Sequence, residues 1–397
     1  MEYLSLYKKY VMGNPSDCQK LFEERFNSEN SFHFDFKIGK HEAFLYNHPV
    51  ISMKLCNIYI LNSKVENALK SLPIVAQKHF VKRSLIDEVQ FSNEIEGVVS
   101  TRKEIKDIIN SLNKNKPVNK KRLEGIVNSY LKLSNKESIS LNTSSDIRNI
   151  YDELLLHEIK LENVKNVPDG IIFRSGMVEV DDASGESVHN GVYPESEIIT
   201  YMDSALNILR NADIDPIIRA CIFHYLFGYI HPFYDGNGRT SRFITSFLLS
   251  KVLAPITGFR ISMTIKEMLS SYYKAFKETN DPRNYGDIGT FVNAMLDIII
   301  KSQNEIIFYA NEMRQKIEIS MNKIKSLKDY APKELNALFV LLQASLFSSE
   351  GISMIELKNA LKQDFKTIKG YIDNNESIIL LNKSGKEYLY SINIEKI

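Results

Sequence analysis

The segment HPFYDGNGRTSR, residues 231 to 242, sets a histidine, an acid, two glycines around an asparagine and two arginines three apart between two strongly apolar stretches. Read as a loop entering a helix, it builds an anion site. His231 precedes Pro232, which keeps it out of the right-handed α region and just outside the preceding helix. Gly236, Asn237 and Gly238 supply a backbone able to adopt positive φ and turn its N–H groups toward one point. Those groups open the next helix, where unpaired donors and the dipole already favour an anion. Arg239 and Arg242 share a face of that first turn and oppose the dipole, at a cost of roughly 0.3–1 kcal/mol each. A polyanion offsets that cost, and a di- or triphosphate is the natural candidate. Asp235 beside phosphates suits Mg²⁺, which takes oxygen ligands and keeps several waters. His231 is the local group able to accept a proton near neutral pH. This is the equipment of phosphoryl or nucleotidyl transfer, where positioning and charge neutralisation supply most of the catalysis. Each feature alone has a blander explanation, as a packed histidine or a surface arginine; their order and spacing together do not.

The elements that must hold this loop read as helices. Before it, Asp215-Pro216 gives an N-cap and a proline at the first helical position, followed by the run IIRACIFHYLF, apolar nearly all round and expected to be buried. His224 in that run reads as a satisfied core residue. After the loop, RTSRFITSFLLSKVL continues as a helix. Helical periodicity also marks residues 62–76, 78–96, 145–163, 196–210 and a long run at 290–327. The run at 78–96 stops at Gly97, and Thr101 with Glu104 starts another with a capping box. Between residues 170 and 194, GIIFRSGMVEVDDASGESVHNGVYP carries β-branched residues around an acidic, glycine-containing turn and reads as a hairpin. The first 50 residues are mixed and show no regular pattern. The fold class is mainly α. No GxxxxGK(S/T) is present, which removes a P-loop, and the histidines lack HExxH-like spacing, which removes metal-dependent hydrolysis.

The 231–242 segment resembles the signature of the Fic family, HPFx(D/E)GNGRxxR, at every fixed position, and the likeness extends more loosely over residues 145–300. The resemblance implies a Fic-type helical core with a β-hairpin flap, and a protein adenylyltransferase. His231 would activate a Ser, Thr or Tyr hydroxyl of a target protein, which attacks the α-phosphorus of ATP as pyrophosphate leaves. Asp235 would hold Mg²⁺, Gly236, Asn237 and Gly238 would cradle phosphates, and Arg239 and Arg242 would grip the β and γ groups. The hairpin around Arg174 to His189 resembles the flap that aligns the target by strand addition. SNEIEG, residues 92 to 97, resembles the family's inhibitory motif (S/T)xxxE(G/N). Ser92 and Glu96 are four apart on one helix face, and Glu96 lies in the last turn, where the dipole disfavours a carboxylate. The resemblance implies a salt bridge from Glu96 to Arg242 that displaces the γ-phosphate. Three alternatives remain open: a hydrolase that removes AMP from a modified target, a transferase using another nucleotide donor, and a nucleotide-sensing regulator that binds DNA or protein.

The rest of the chain sets bounds. At 397 residues with 44% hydrophobic content, two or three domains are expected, here 1–130 with the inhibitory helix, 131–328 as the catalytic core and 331–397. The net charge of +1 gives no reason for bulk attraction to nucleic acid or membrane. The opening MEYLSLYKKY lacks a signal-peptide layout, no run of about 18 apolar residues occurs, and the scattered Cys18, Cys56 and Cys221 read as small buried hydrophobes in a reducing compartment. A cytoplasmic protein is expected. NKNKPVNKKR, residues 113 to 122, reads as a solvated loop. Residues 331–397 read as three short helices followed by two apolar runs around Asn-Lys-Ser-Gly, the order of a winged-helix-like α+β domain. Its eight lysines are matched by eight acids, so DNA binding ranks below protein contact or homodimer formation.

Overall fold

The computed structural model describes residues 3–112, 122–181, 187–347, 351–384 and 387–397. Helices dominate, with three small antiparallel sheets among the described residues. The first 50 residues fold as α1 (Leu6–Met12), α2 (Pro15–Phe26) and a hairpin of β1 (Ser31–Ile38) with β2 (His41–Tyr46). Phe34, Phe36 and Ile38 alternate inward along β1, a period-2 signal in SFHFDFKI that sequence reading passed over.

Proline sets the next boundaries. Helix α3 (Pro49–Lys70) begins well before the run expected at 62–76 and ends inside it, while α4 (Ile74–Ile95) covers all but the last residue of the run expected at 78–96 and starts four residues earlier. Pro49 opens α3 at its first position, and a turn through Ser71, Leu72 and Pro73 separates the two helices. α5 (Arg102–Leu112) starts with the Glu104 N–H donating to Thr101 Oγ1 at 3.1 Å. Of the basic stretch 113–122, residues 113–121 lie outside the described residues. α6 (Glu124–Ser134) follows. Then α7 (Ser144–Tyr151), a π-helical segment (Asp152–Leu156) and α8 (His157–Glu162) occupy the span expected as one helix.

Strands β3 (Glu179–Asp181) and β4 (Ser187–Asn190) pair antiparallel. α9 (Glu195–Arg210) leads to α10 (Pro216–Ile230), which Asp215 caps by accepting from the Ile217 N–H at 2.8 Å. α11 (Asn237–Val252) packs beside it. Short helices α12 (Pro255–Gly258), α13 (Ile261–Glu267) and α14 (Leu269–Asn280) precede the long α15 (Gly289–Leu327). The chain ends with α16 (Pro332–Phe347), β5 (Ile352–Ser353), α17 (Met354–Leu361), α18 (Phe365–Asp373), β6 (Ile379–Ser384) and β7 (Glu387–Ile392), the sheet order being β5-β7-β6.

Two compact units result. The first comprises Met1–Asn62 and Leu85–Gln303, the second Ser63–Ser84 and Asn304–Ile397. The second takes in more than residues 331–397, because its core of Leu338, Leu341, Leu342, Leu357 and Ile368 includes Ile324 from α15 and has Val75 packed against it. In the first unit, α10 is buried nearly throughout, as its all-round apolar run requires. Cys18 and Cys221 are buried, whereas Cys56 is exposed, contrary to expectation, because α3 is only partly covered. No helix among the described residues is long and apolar enough to cross a membrane.

Candidate active site

The loop between α10 and α11 is held by side chains that close on its backbone. α10 ends at Ile230, and His231 takes a left-handed conformation (φ 52°, ψ 62°) with its N–H bonded to the Phe227 carbonyl at 3.0 Å. Phe233 is fully buried and stacks on Tyr151 with ring centroids 3.8 Å apart. The Asn237 amide grips Phe233 at both ends: Oδ1 accepts from its N–H at 2.9 Å and Nδ2 donates to its carbonyl at 2.8 Å. The Asn237 side chain is therefore committed to holding the loop. Arg174, also fully buried, donates to the carbonyls of His231 (2.9 Å), Gly176 (2.6 Å) and Val192 (2.7 Å), joining the loop to the base of the β3–β4 hairpin. Of the three cradle residues only Gly236 is left-handed (φ 81°), and a Cβ there would meet Leu155 Cδ1 at 2.6 Å. Asn237 and Gly238 instead form the first turn of α11.

A cleft of about 120 Å³ opens above that turn. His231, Asn237, Gly238, Arg242 and Glu96 line it together. Arg242 is buried and committed to α4: Nε donates to Ser92 Oγ at 3.2 Å, Nη2 to the Ser92 carbonyl at 2.8 Å, and Nη1 pairs with Glu96 Oε1 at 2.9 Å. Burial works against the Arg242 charge, but the Glu96 carboxylate together with Tyr272 and Tyr273 outweighs it and raises the pKa. Glu96 lies one residue beyond the end of α4, and its Oε1 comes within 2.0 Å of where a Gly238 Cβ would stand. The carboxylate thus rests against the N-terminal turn of α11, in the space an anion would use.

Asp235, Gly236 and Arg239 are not among the lining residues. Arg239 is fully buried in an ion pair with Glu158 at 2.9 Å and reaches Asp235 at 3.4 Å. Burial raises the Glu158 pKa, with Arg239 pulling the other way. Asp235 is over a third exposed and has one weak partner, so its carboxylate has room for an added ligand. No group of three or more His, Cys, Asp or Glu suited to a metal occurs among the described residues, so a cation here would need oxygens from a ligand as well.

The cleft's other wall was not legible in the sequence. Tyr272, Tyr273, Phe276 and Asn280 from α14, and His189 from β4, complete it. Their spacing of one, four and eight residues along α14 was the available signal, but amphipathic helices of the core have the same spacing. His224 also faces this cleft from α10, as a satisfied core residue. Thr245 donates to the Ser241 carbonyl, so it accepts from His224 Nδ1 at 2.7 Å, leaving Nε2 to accept from Tyr272 at 2.7 Å. Burial, with Arg242 nearby, pushes the His224 pKa down to about 3. His231 is likewise pushed down to about 3, by burial first and then by His189. Its Nδ1 faces the Gly228 carbonyl at 3.4 Å; with the hydrogen there, Nε2 carries the free lone pair.

Sequence comparison matches the stretch of chain that carries this loop. The Fic/DOC family model matches residues 141–249, from α7 through the loop into α11. The protein adenylyltransferase Fic of Drosophila willistoni is 30% identical over 168 residues, 42% of this chain and 31% of that protein. Its Drosophila virilis counterpart is 30% identical over 166 residues, again 42% and 31%. The matched region thus spans about a third of the length of these curated relatives. Among solved structures, a Fic family protein from Desulfovibrio desulfuricans G20 aligns over 85% of this chain and 95% of its own, with TM-score 0.49 and 17% identity. Fic-1 from C. elegans aligns over 66% and 74%, with TM-score 0.45 and 18% identity. Residues 141–249 are thus the part of the chain that matches the Fic/DOC family.

Proposed function

We propose that the protein is an adenylyltransferase that moves AMP from ATP to a Ser, Thr or Tyr hydroxyl of a target protein, and that Glu96 holds it closed. The observation that carries this reading is the meeting of an imidazole, a helix N-terminus and Arg242 in one cleft. The triphosphate would lie over the first turn of α11, with the backbone N–H groups of Asn237 and Gly238 facing its oxygens. Arg242 would take the terminal phosphate once Glu96 withdraws. Arg239, lying off the lining, would fix the loop through Glu158 and Asp235. His231 Nε2 would accept the target's hydroxyl proton as that oxygen bonds to the α-phosphorus; the bond to pyrophosphate breaks and pyrophosphate keeps its electrons. A pKa near 3 suits an empty cleft, and the added negative charge of ATP raises it toward a working base. Asp235 is the residue that would hold Mg²⁺, whose charge would neutralise phosphate oxygens. Tyr272, Tyr273 and Phe276 offer faces for a nucleobase and Asn280 a polar edge. The β3–β4 hairpin would present the target segment.

A second reading has one observation behind it. The Glu96 side chain is about a third exposed and lines the same cleft, so it could orient a water that removes AMP from a modified target. For residues 331–397 we read a winged-helix-like module of zero formal charge serving protein contact rather than DNA. Exposed Phe365, Leu380, Leu381 and Tyr388 support that choice. The test of the main reading is intact-mass analysis of a lysate or target mixture after incubation with ATP and Mg²⁺. Run with the Glu96→Gly protein, a gain of one AMP that disappears when His231→Ala is added supports transfer; nucleotide binding by Glu96→Gly with no modified protein refutes it.

A further inference from the structure

Helices α4 and α11 meet antiparallel at every fourth residue. Glu96 lies against Gly238, Ser92 bonds Arg242, and Glu88 bonds Ser246. The first two contacts belong to the cleft. The third has no part in the chemistry, yet it places a carboxylate at zero exposure. Glu88 Oε1 accepts from Ser262 Oγ at 2.6 Å, from Ser246 Oγ at 3.1 Å and from Tyr130 at 3.4 Å, while Oε2 accepts from the Ser262 N–H at 2.8 Å. One side chain thus gathers α4, α6, α11 and α13.

A leucine would fill this space without desolvating a charge. What hydroxyl and amide donors add is direction. They fix both the rotation of α4 about its axis and its slide along α11. From Glu88 to Glu96 is eight residues, about 12 Å of helix. A one-residue slip turns every side chain by about 100° and carries Glu96 off Arg242. Burial pushes the Glu88 carboxyl up to about 7, with the Ser262 and Ser246 donors opposing it, so the site holds this group against its preference for water.

We propose that Glu88 is a positioning residue for the obstructing helix: it locks α4 in the register that seats Glu96 on Arg242 and Gly238, and so determines how firmly the cleft is closed to phosphate. This rests on the reading that Glu96 competes with ATP. Two measurements on the full chain keep the two ideas apart. The first is ATP affinity, by calorimetry with Mg²⁺, for Glu88→Ala, Glu88→Gln, Glu96→Gly and the Glu88→Ala/Glu96→Gly double variant. Glu88→Ala should tighten ATP binding at least about 5-fold where Glu96 is present and leave the Glu96→Gly protein unchanged. Glu88→Gln, whose amide can still accept from the Ser262 N–H while the hydroxyls turn to accept from it, should stay within about 2-fold of the parent. Loss of affinity in both backgrounds, or an equal gain in both, overturns the proposal. Should Glu88→Ala not fold, Ser262→Ala takes its place, with the same direction and the same refuting outcomes. The second measurement is backbone hydrogen exchange over residues 89–97 without nucleotide. Faster exchange in the Glu88 or Ser262 variant supports the positioning role even if Glu96→Gly fails to improve ATP binding, and unchanged exchange refutes it.

Discussion

Replacing Glu96 with glycine should separate stability from activity, moving them in opposite directions. The Arg242 side chain is 1% exposed and that of Glu96 32% exposed, at 2.9 Å. Breaking a fully buried pair costs about 3–5 kcal/mol and an exposed one about 0–1, so this pair lies between, at about 1–3 kcal/mol. Glu96→Gly therefore lowers folding stability by about that amount, and the glycine adds little because position 96 lies beyond the helix. The same free energy is what ATP must overcome to claim Arg242. Its removal should tighten ATP binding by about 5- to 150-fold and raise AMP incorporation accordingly. Calorimetric ATP titration, labelled-ATP incorporation and urea denaturation, run on the parent, Glu96→Gly and Glu96→Gln, give the comparison. Glu96→Gln keeps the shape and loses the charge, so it should recover most of the gain. A Glu96→Gly protein that is less stable yet binds and transfers no better would refute the reasoning, and would reduce the ion pair to a structural contact.

His231→Ala should abolish AMP transfer, by at least about 100-fold, while ATP affinity in the Glu96→Gly background stays within a few-fold; parallel losses of both would mean that residue 231 shapes the cleft instead. Gly236→Ala should cost about 1–3 kcal/mol in denaturation experiments, since alanine must adopt a φ of 81° and push against Leu155. Acid should destabilise the fold through His224. Its folded pKa of about 3 lies below an unfolded value near 6.5, so between those pH values the unfolded chain binds a proton that the folded chain does not. Stability then falls as pH drops through that window, with a slope of up to about 1.4 kcal/mol per pH unit from this residue. A His224→Gln variant should show a shallower slope from pH 6 to 4, and an identical slope would count against the assignment.

Local rules carried the sequence reading well where chemistry and geometry coincide in a few residues. The Asp215-Pro216 start of α10, the Thr101 cap of α5 and the loop around Gly236 each depend on neighbours within four positions, and each is found in the structure. The arms of the site that come from distant chain segments were not legible. Arg174 looked like part of a hairpin, yet its guanidinium binds the carbonyl of residue 231. Tyr272, Tyr273 and Phe276 shared the pattern of any core helix. Glu88 sat in an amphipathic run whose inward face no periodicity could distinguish as polar by design. Arg239 shows the opposite case: i, i+3 spacing puts it on one face with Arg242, but Glu158 from α8 draws it elsewhere. The π-helical turn at Asp152–Leu156 had no sequence signature, although Tyr151 and Leu155 around it leave no room for a side chain at Gly236.

The left-handed backbone of His231 has a consequence for the molecule's economy. A residue with a Cβ is disfavoured in that region by roughly 1–2 kcal/mol, whereas glycine enters it freely and asparagine readily. The chain would rest more easily with either of them at this corner, so an inert version of this protein can be sturdier than the working one. Position 231 is where comfort of the polymer and reactivity of its side group pull apart, and the clasp of Arg174 on that carbonyl is what keeps the tension from being released.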